Sequence, residues 1–134
     1  MLVDADNVAA RRLQPVLDLL RLVDGTVAVT ASGRQQALDG VSWPAAAELL
    51  VHAGWQRADV ALAEAYSPSA DPLILVSGDG DFALLAARHP GPVLVVSAAP
   101  SGRLRDSGLM VDPAIEGVAP IRAWLAASGV EVRP

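Results

Sequence analysis

Neither cysteine nor lysine occurs in this chain of 134 residues. Without cysteine there is no disulfide framework, no thiol nucleophile and no thiolate metal site, so any metal must take oxygen or imidazole ligands. Without lysine, all ten basic residues are arginine, and chemistry that needs a side-chain amine is excluded. Long apolar runs are missing too: none approaches the roughly 20 residues that cross a bilayer. Met1 leads straight into Leu2-Val3-Asp4 without a basic segment or cleavage-site pattern, so the expectation is a cytoplasmic protein with no membrane partner. Positive charge is scarce as well. A net charge of −5 gives no general attraction for polyanions, and binding to one would need a local arginine patch or metal ions.

What is present is apolar: 52% of residues are hydrophobic and 19% charged, a balance that favours a buried core and a single domain over residues 1–134. Leu2-Val3 reads as a short strand ended by Asp4-Ala5-Asp6-Asn7, residue types that favour turns and caps. Leu13, Val16, Leu17, Leu20 and Val23 recur at helical spacing, which predicts a helix over 8–23, restarted by Pro15 at a first-turn position and stopped by Asp24-Gly25. Thr26 to Thr30 reads as a second strand, followed by a loop at 32–36. Ser42-Trp43-Pro44 reads as a helix start, with helix from Ala45 to Ala53 ending at Gly54. A further helix begins at Asp59 and runs to about Tyr66. Pro72 to Val76 and Pro92 to Val96 are continuous apolar runs, the pattern of central parallel strands buried on both faces. Ala119 to Ala127 is an amphipathic helix with Ile121, Trp124 and Leu125 on one side, and 101–117 gives no clear element. The alternation implies an α/β sandwich with a mostly parallel central sheet flanked by helices.

In such folds the site lies beyond the C-terminal ends of the strands. Asp4 and Asp6 follow the first strand, Asp79 and Asp81 follow the apolar run ending at Val76, and Asp59 opens a helix. Any one of these alone is well explained as a helix cap. Two acidic motifs after different strands, together with Asp59, favour convergence. Carboxylates brought together repel one another unless a cation bridges them, and oxygen-only ligation suits Mg²⁺ or Mn²⁺. Gly78 and Gly80 would let backbone approach a phosphate closely.

The segments LVDADNV (2–8), ADVALAEA (58–65) and LILVSGDGDFALLA (73–86), in this order and spacing, resemble the NYN domain of the PIN-like ribonuclease superfamily over residues 2–98. The resemblance implies a three-layer PIN-like sandwich and a metal-dependent ribonuclease acting on RNA. It implies Asp4, Asp59, Asp79 and Asp81 as catalytic residues and ligands of Mg²⁺ or Mn²⁺. It also implies that Asn7 and Ser77 orient ligands or substrate, with Asp6 as an accessory group. Arg11 and Arg12 lie where a local cluster would supply phosphate contacts. The chain departs from the family where Gln56-Arg57 replaces a lysine and where Ala65, beside Glu64, replaces an acidic residue. A homodimer or a protein partner as the source of specificity is left open.

Two rivals use the same residues. Asp4-Ala5-Asp6-Asn7-Val8 also resembles the nucleophile loop of haloacid-dehalogenase-like phosphatases, in which Asp4 would be phosphorylated and Asp6 would be the acid; the lysine expected to steady the phosphoryl group is absent. A catalytically weak RNA-binding or regulatory module is the other. His52 and His89 are read as lying on helices or their ends without an acidic partner, in hydrogen-bonding roles. Trp43, Trp55 and Trp124 are read as core or interface anchors.

Overall fold

The computed structural model describes residues 1–53 and 58–134. Its centre is built from the apolar runs. β1 (Leu2–Asp4), β4 (Leu73–Val76) and β5 (Val93–Val96) are buried throughout, and their side chains alternate between two cores as a period of two requires. Leu2, Leu73, Leu75, Val93 and Val95 enter one core with Leu62, Phe82, Ala86 and Leu104. Val3, Ile74, Val76, Leu94 and Val96 enter the other with Leu13, Val16, Leu17, Ile121 and Leu125. The first face is therefore covered by α3 (Ala58–Ala65), α4 (Ala83–Arg88) and α5 (Gly102–Arg105), and the second by α1 (Ala10–Leu20) and α7 (Ala119–Ala127). This is a three-layer α/β sandwich.

Three further strands, β2 (Thr30–Gly33), β3 (Glu48–Val51) and β6 (Leu109–Val111), complete a six-stranded sheet in the order β3-β2-β1-β4-β5-β6. All five pairings are parallel. The chain works outward from β1 to β3, crosses back to β4 beside β1, and works outward again to β6. Strand order thus reverses between β1 and β4, joined with Val3 opposite Val76. Above the C-terminal ends of these two strands the connections diverge and leave a crevice, the usual place for a site in an open parallel sheet.

The edges differ from the sequence expectation. The expected helix over Ala45 to Ala53 is instead β3, paired with β2 from Thr30 opposite Glu48 to Gly33 opposite Val51. Ala, Glu and Leu favour helix, but pairing with an open sheet edge outweighs a propensity worth a few tenths of a kcal/mol per residue. β2 lies later than Thr26 to Thr30, and 32–36 is not a loop: Ser32 and Gly33 belong to β2, and α2 (Gln35–Asp39) follows at once. Pro15 does not restart a helix. It lies inside α1, which runs on through it because buried Leu13, Val16, Leu17 and Leu20 continue one apolar stripe past it. The segment 101–117 contains α5, β6 and α6 (Pro113–Glu116). Trp43 and Trp124 pack against the α1 core, and Trp43 Nε1 donates to Leu38 O at 2.8 Å. The readings of Gly54, Trp55 and Gln56-Arg57 lie outside the described residues. Among the described residues no helix is long and apolar enough to cross a membrane.

Candidate metal centre

β4 ends at Val76, and the chain turns sharply through Ser77-Gly78-Asp79 into a 3-10 turn at Gly80–Phe82. Each residue of the turn has a local reason. Ser77 is fully buried; its Oγ donates to Asp4 Oδ2 at 3.0 Å and accepts from Asp79 N at 3.1 Å, tying the ends of β1 and β4 together. Gly78 passes against the loop after β5, where a Cβ would lie 2.8 Å from Ser97 Oγ and 3.1 Å from Ala99 O. Asp79 caps the 3-10 turn through its Oδ1, which accepts from Asp81 N at 2.9 Å. This satisfies an amide at the turn's start and fixes both carboxylates on the same side of the loop.

Asp59 stands in the first turn of α3, which packs over β1 and β2 and against the 3-10 turn. One carboxylate oxygen from each of Asp59, Asp79 and Asp81 lies within 4.8 Å of the other two; Asp59 and Asp79 are half-buried and Asp81 is exposed. Three of the four aspartates expected to converge therefore do so. The fourth, Asp4, lies deeper, at 1% exposure. Its Oδ2 accepts from Asn7 Nδ2 at 2.6 Å and from Ser77. Its Oδ1 is buried with no hydrogen-bond partner among the described residues. Burial pushes the Asp4 carboxyl above its ordinary range; the bonds from Asn7 and Ser77 oppose this, and the nearby charges of Asp79 and Asp6 add to it.

This donor set fits a hard divalent cation. All of it is carboxylate oxygen, the class that Mg²⁺ and Mn²⁺ prefer. Oxygens around an octahedral ion of this size stand about 3–4 Å apart, so small side-chain rotations would close the triad on one. The orphaned Oδ1 of Asp4 is a further buried negative atom that a nearby cation would compensate.

The other expected site residues divide. Asn7 and Ser77 both donate to Asp4 Oδ2. Asp6 is not part of the triad: its Oδ1 accepts from Arg34 N at 2.9 Å, with Arg34 Nε 3.7 Å away, and its Oδ2 is 3.0 Å from His52 Nε2, out of line for a hydrogen bond. It braces the ends of β2 and β3. His52 accordingly has an acidic neighbour and follows a strand, contrary to expectation, whereas His89 caps α4 and bonds Tyr66 OH and Asp71 O. Arg12 lines a pocket of about 410 Å³ beside Asp79, with Asn7, Gly78 and Ser97, and its Nε donates to Asp112 Oδ1 at 3.1 Å. Arg11 is exposed on α1. A second pocket, of about 370 Å³, adjoins Asp59 and Asp81 and includes Glu64. The largest described cavity, about 710 Å³, opens at the opposite end of the strands beside Tyr66 and Trp124, away from the triad.

Sequence reasoning missed Asp112, which lies 100 residues from Arg12 in the segment without a clear pattern. Its only local signal is Pro113 after an aspartate, a helix-start pair. Fold and site together define a parallel α/β sandwich with an acidic centre where its strand order reverses. No protein-family model, curated protein or solved structure matches the chain.

Proposed function

We propose that this chain is a metal-dependent ribonuclease of the NYN, PIN-like type, hydrolysing RNA phosphodiester bonds at the acidic centre. The observation that carries the reading is the triad of Asp59, Asp79 and Asp81 beside the buried, half-satisfied Asp4. The motifs that resemble NYN domains are the ones that supply these residues.

A bound Mg²⁺ or Mn²⁺ would supply a water of lowered pKa and stabilise charge on the phosphate during in-line attack. The chain's own residues do the rest. Asp59, Asp79 and Asp81 would hold the ion, and they stand on two elements whose separation is fixed by the cores. Asp4 keeps that edge negative, and Ser77 couples it rigidly to the Asp79 backbone. Arg12, held by Asp112, lines the adjoining pocket with donors suited to phosphate oxygens. No side chain is required to act as nucleophile. The phosphatase rival would need Asp4 to reach phosphorus, but Asp4 is buried and its Oδ2 already accepts two bonds.

The test is cleavage of a panel of single-stranded and structured RNAs with Mn²⁺, beside Asp79→Asn. Wild-type cleavage that falls at least about 100-fold in the variant, with RNA binding retained, is the expected outcome. Binding of both Mn²⁺ and RNA without cleavage of any RNA would make the chain a binding module. Stoichiometric phosphorylation of Asp4 by a phosphoester would make it a phosphatase.

A further inference from the structure

The loop carrying Asp79 and Asp81 is clipped to a second element, α5. Ser101 N donates to Gly78 O at 3.1 Å, Ser101 Oγ caps α5 by accepting from Leu104 N at 3.3 Å, and the buried Leu104 shares the core of Phe82. Between the two aspartates stands Gly80. A Cβ there would lie 2.7 Å from Ser101 Oγ and 3.9 Å from Arg103 Cδ. The missing side chain therefore lets α5 press against the turn, with the stem of Arg103 alongside Gly80. The guanidinium begins one bond beyond Cδ and the residue is exposed, so its charge is within reach of a ligand at the Asp79–Asp81 turn.

We propose that Arg103 is a phosphate-binding residue of this site, gripping the RNA backbone at the acidic centre; the inference rests on the ribonuclease reading. A cluster of carboxylates in a chain of net charge −5 repels the polyanion it would cut, and counter-charge must be supplied locally. With lysine absent, arginine is the side chain available, and its planar fork suits bidentate contact to phosphate. The neighbouring arginines are more committed. Arg12 donates its Nε to Asp112, and Arg105 turns its Nε toward Pro100 O at 3.4 Å. Gly80 thus does more than permit a tight turn: it lets the stem of Arg103 lie against the turn that carries the anions.

The experiment measures binding of a short fluorescein-labelled single-stranded RNA by anisotropy with Mn²⁺ across a NaCl series. Wild type, Arg103→Ala, Arg103→Lys and Arg88→Ala are compared, with Mn²⁺ affinity determined for each by calorimetry. Arg103→Ala is expected to bind Mn²⁺ as wild type does and to bind RNA about tenfold more weakly. It should also lose about 0.7 from the slope of log affinity against log salt, the single-strand value for one phosphate contact. Arg103→Lys should recover the slope, because a merely structural arginine would not be rescued by charge alone. Arg88→Ala, at the far end of α4, should match wild type. Unchanged affinity and slope in Arg103→Ala, while wild type binds and cleaves RNA, would overturn the assignment and leave the ribonuclease reading standing. A wild type that takes up Mn²⁺ but neither binds nor cleaves RNA overturns that reading, and this contact with it.

Discussion

A carboxylate held above its ordinary pKa by burial favours its own protonation in the folded state, and Asp4 is such a group. Above its raised folded-state pKa the ionised Asp4 opposes folding. That cost shrinks as pH falls through the raised value and is gone below the unfolded value near 3.8. Asp4→Asn keeps the size of the side chain and an acceptor for Asn7 and Ser77 but removes the charge. Without metal it should raise stability at pH 7 by on the order of 1 kcal/mol. The gain should vanish toward pH 3, as thermal melts in EDTA across pH would reveal. The same residues show what a sequence can disclose. Asp4, Asp59, Asp79 and Asp81 are legible because each sits in a short motif whose neighbours identify it. The partners of Asp6 and Arg12 are not, because Arg34 lies 28 residues from Asp6 and Asp112 lies 100 from Arg12, and only the folded sheet brings them together.

At the scale of elements, legibility follows burial. β4 and β5 are covered on both faces and read as unbroken apolar runs, whereas β3 forms an edge with Glu48, Leu49 and Val51 exposed, so its composition does not have to look like a strand. β2 is small where it is most buried, at Ala31 and Ser32, and β-propensity points to the more β-branched stretch before it. Helix α1 shows the reverse conflict: Pro15 interrupts its hydrogen bonding, yet the apolar stripe holds it together. A proline inside a helix costs up to about 3 kcal/mol, partly offset by the entropy it removes from the unfolded chain. Because Pro15 is exposed, alanine there should restore a bond to Arg11 O without disturbing the core. Pro15→Ala is expected to stabilise the protein by about 1–2 kcal/mol, read as a higher urea midpoint at unchanged slope.

For the molecule as a whole, the proposed function makes a divalent cation a ligand of the folded state, held at the acidic centre of Asp59, Asp79 and Asp81. Mn²⁺ at 100 times its dissociation constant should add about 2.7 kcal/mol to stability by mass action. The resulting rise in melting temperature should be largely lost in Asp79→Asn, which differential scanning calorimetry would detect. The seam between β1 and β4 bears on how such a molecule comes into being. Asp79 and Asp81 share one loop and Asp59 stands on the helix that precedes β4, but the bond that anchors that loop runs from Ser77 to Asp4 across 73 residues. Contacts so distant along the chain form slowly, so the loop is held in place only after the two halves of the sheet have met. During refolding the loop pair would therefore move freely relative to Asp59 before the three become a rigid cup, and tight ion uptake would mark the closing of the sheet, not its beginning.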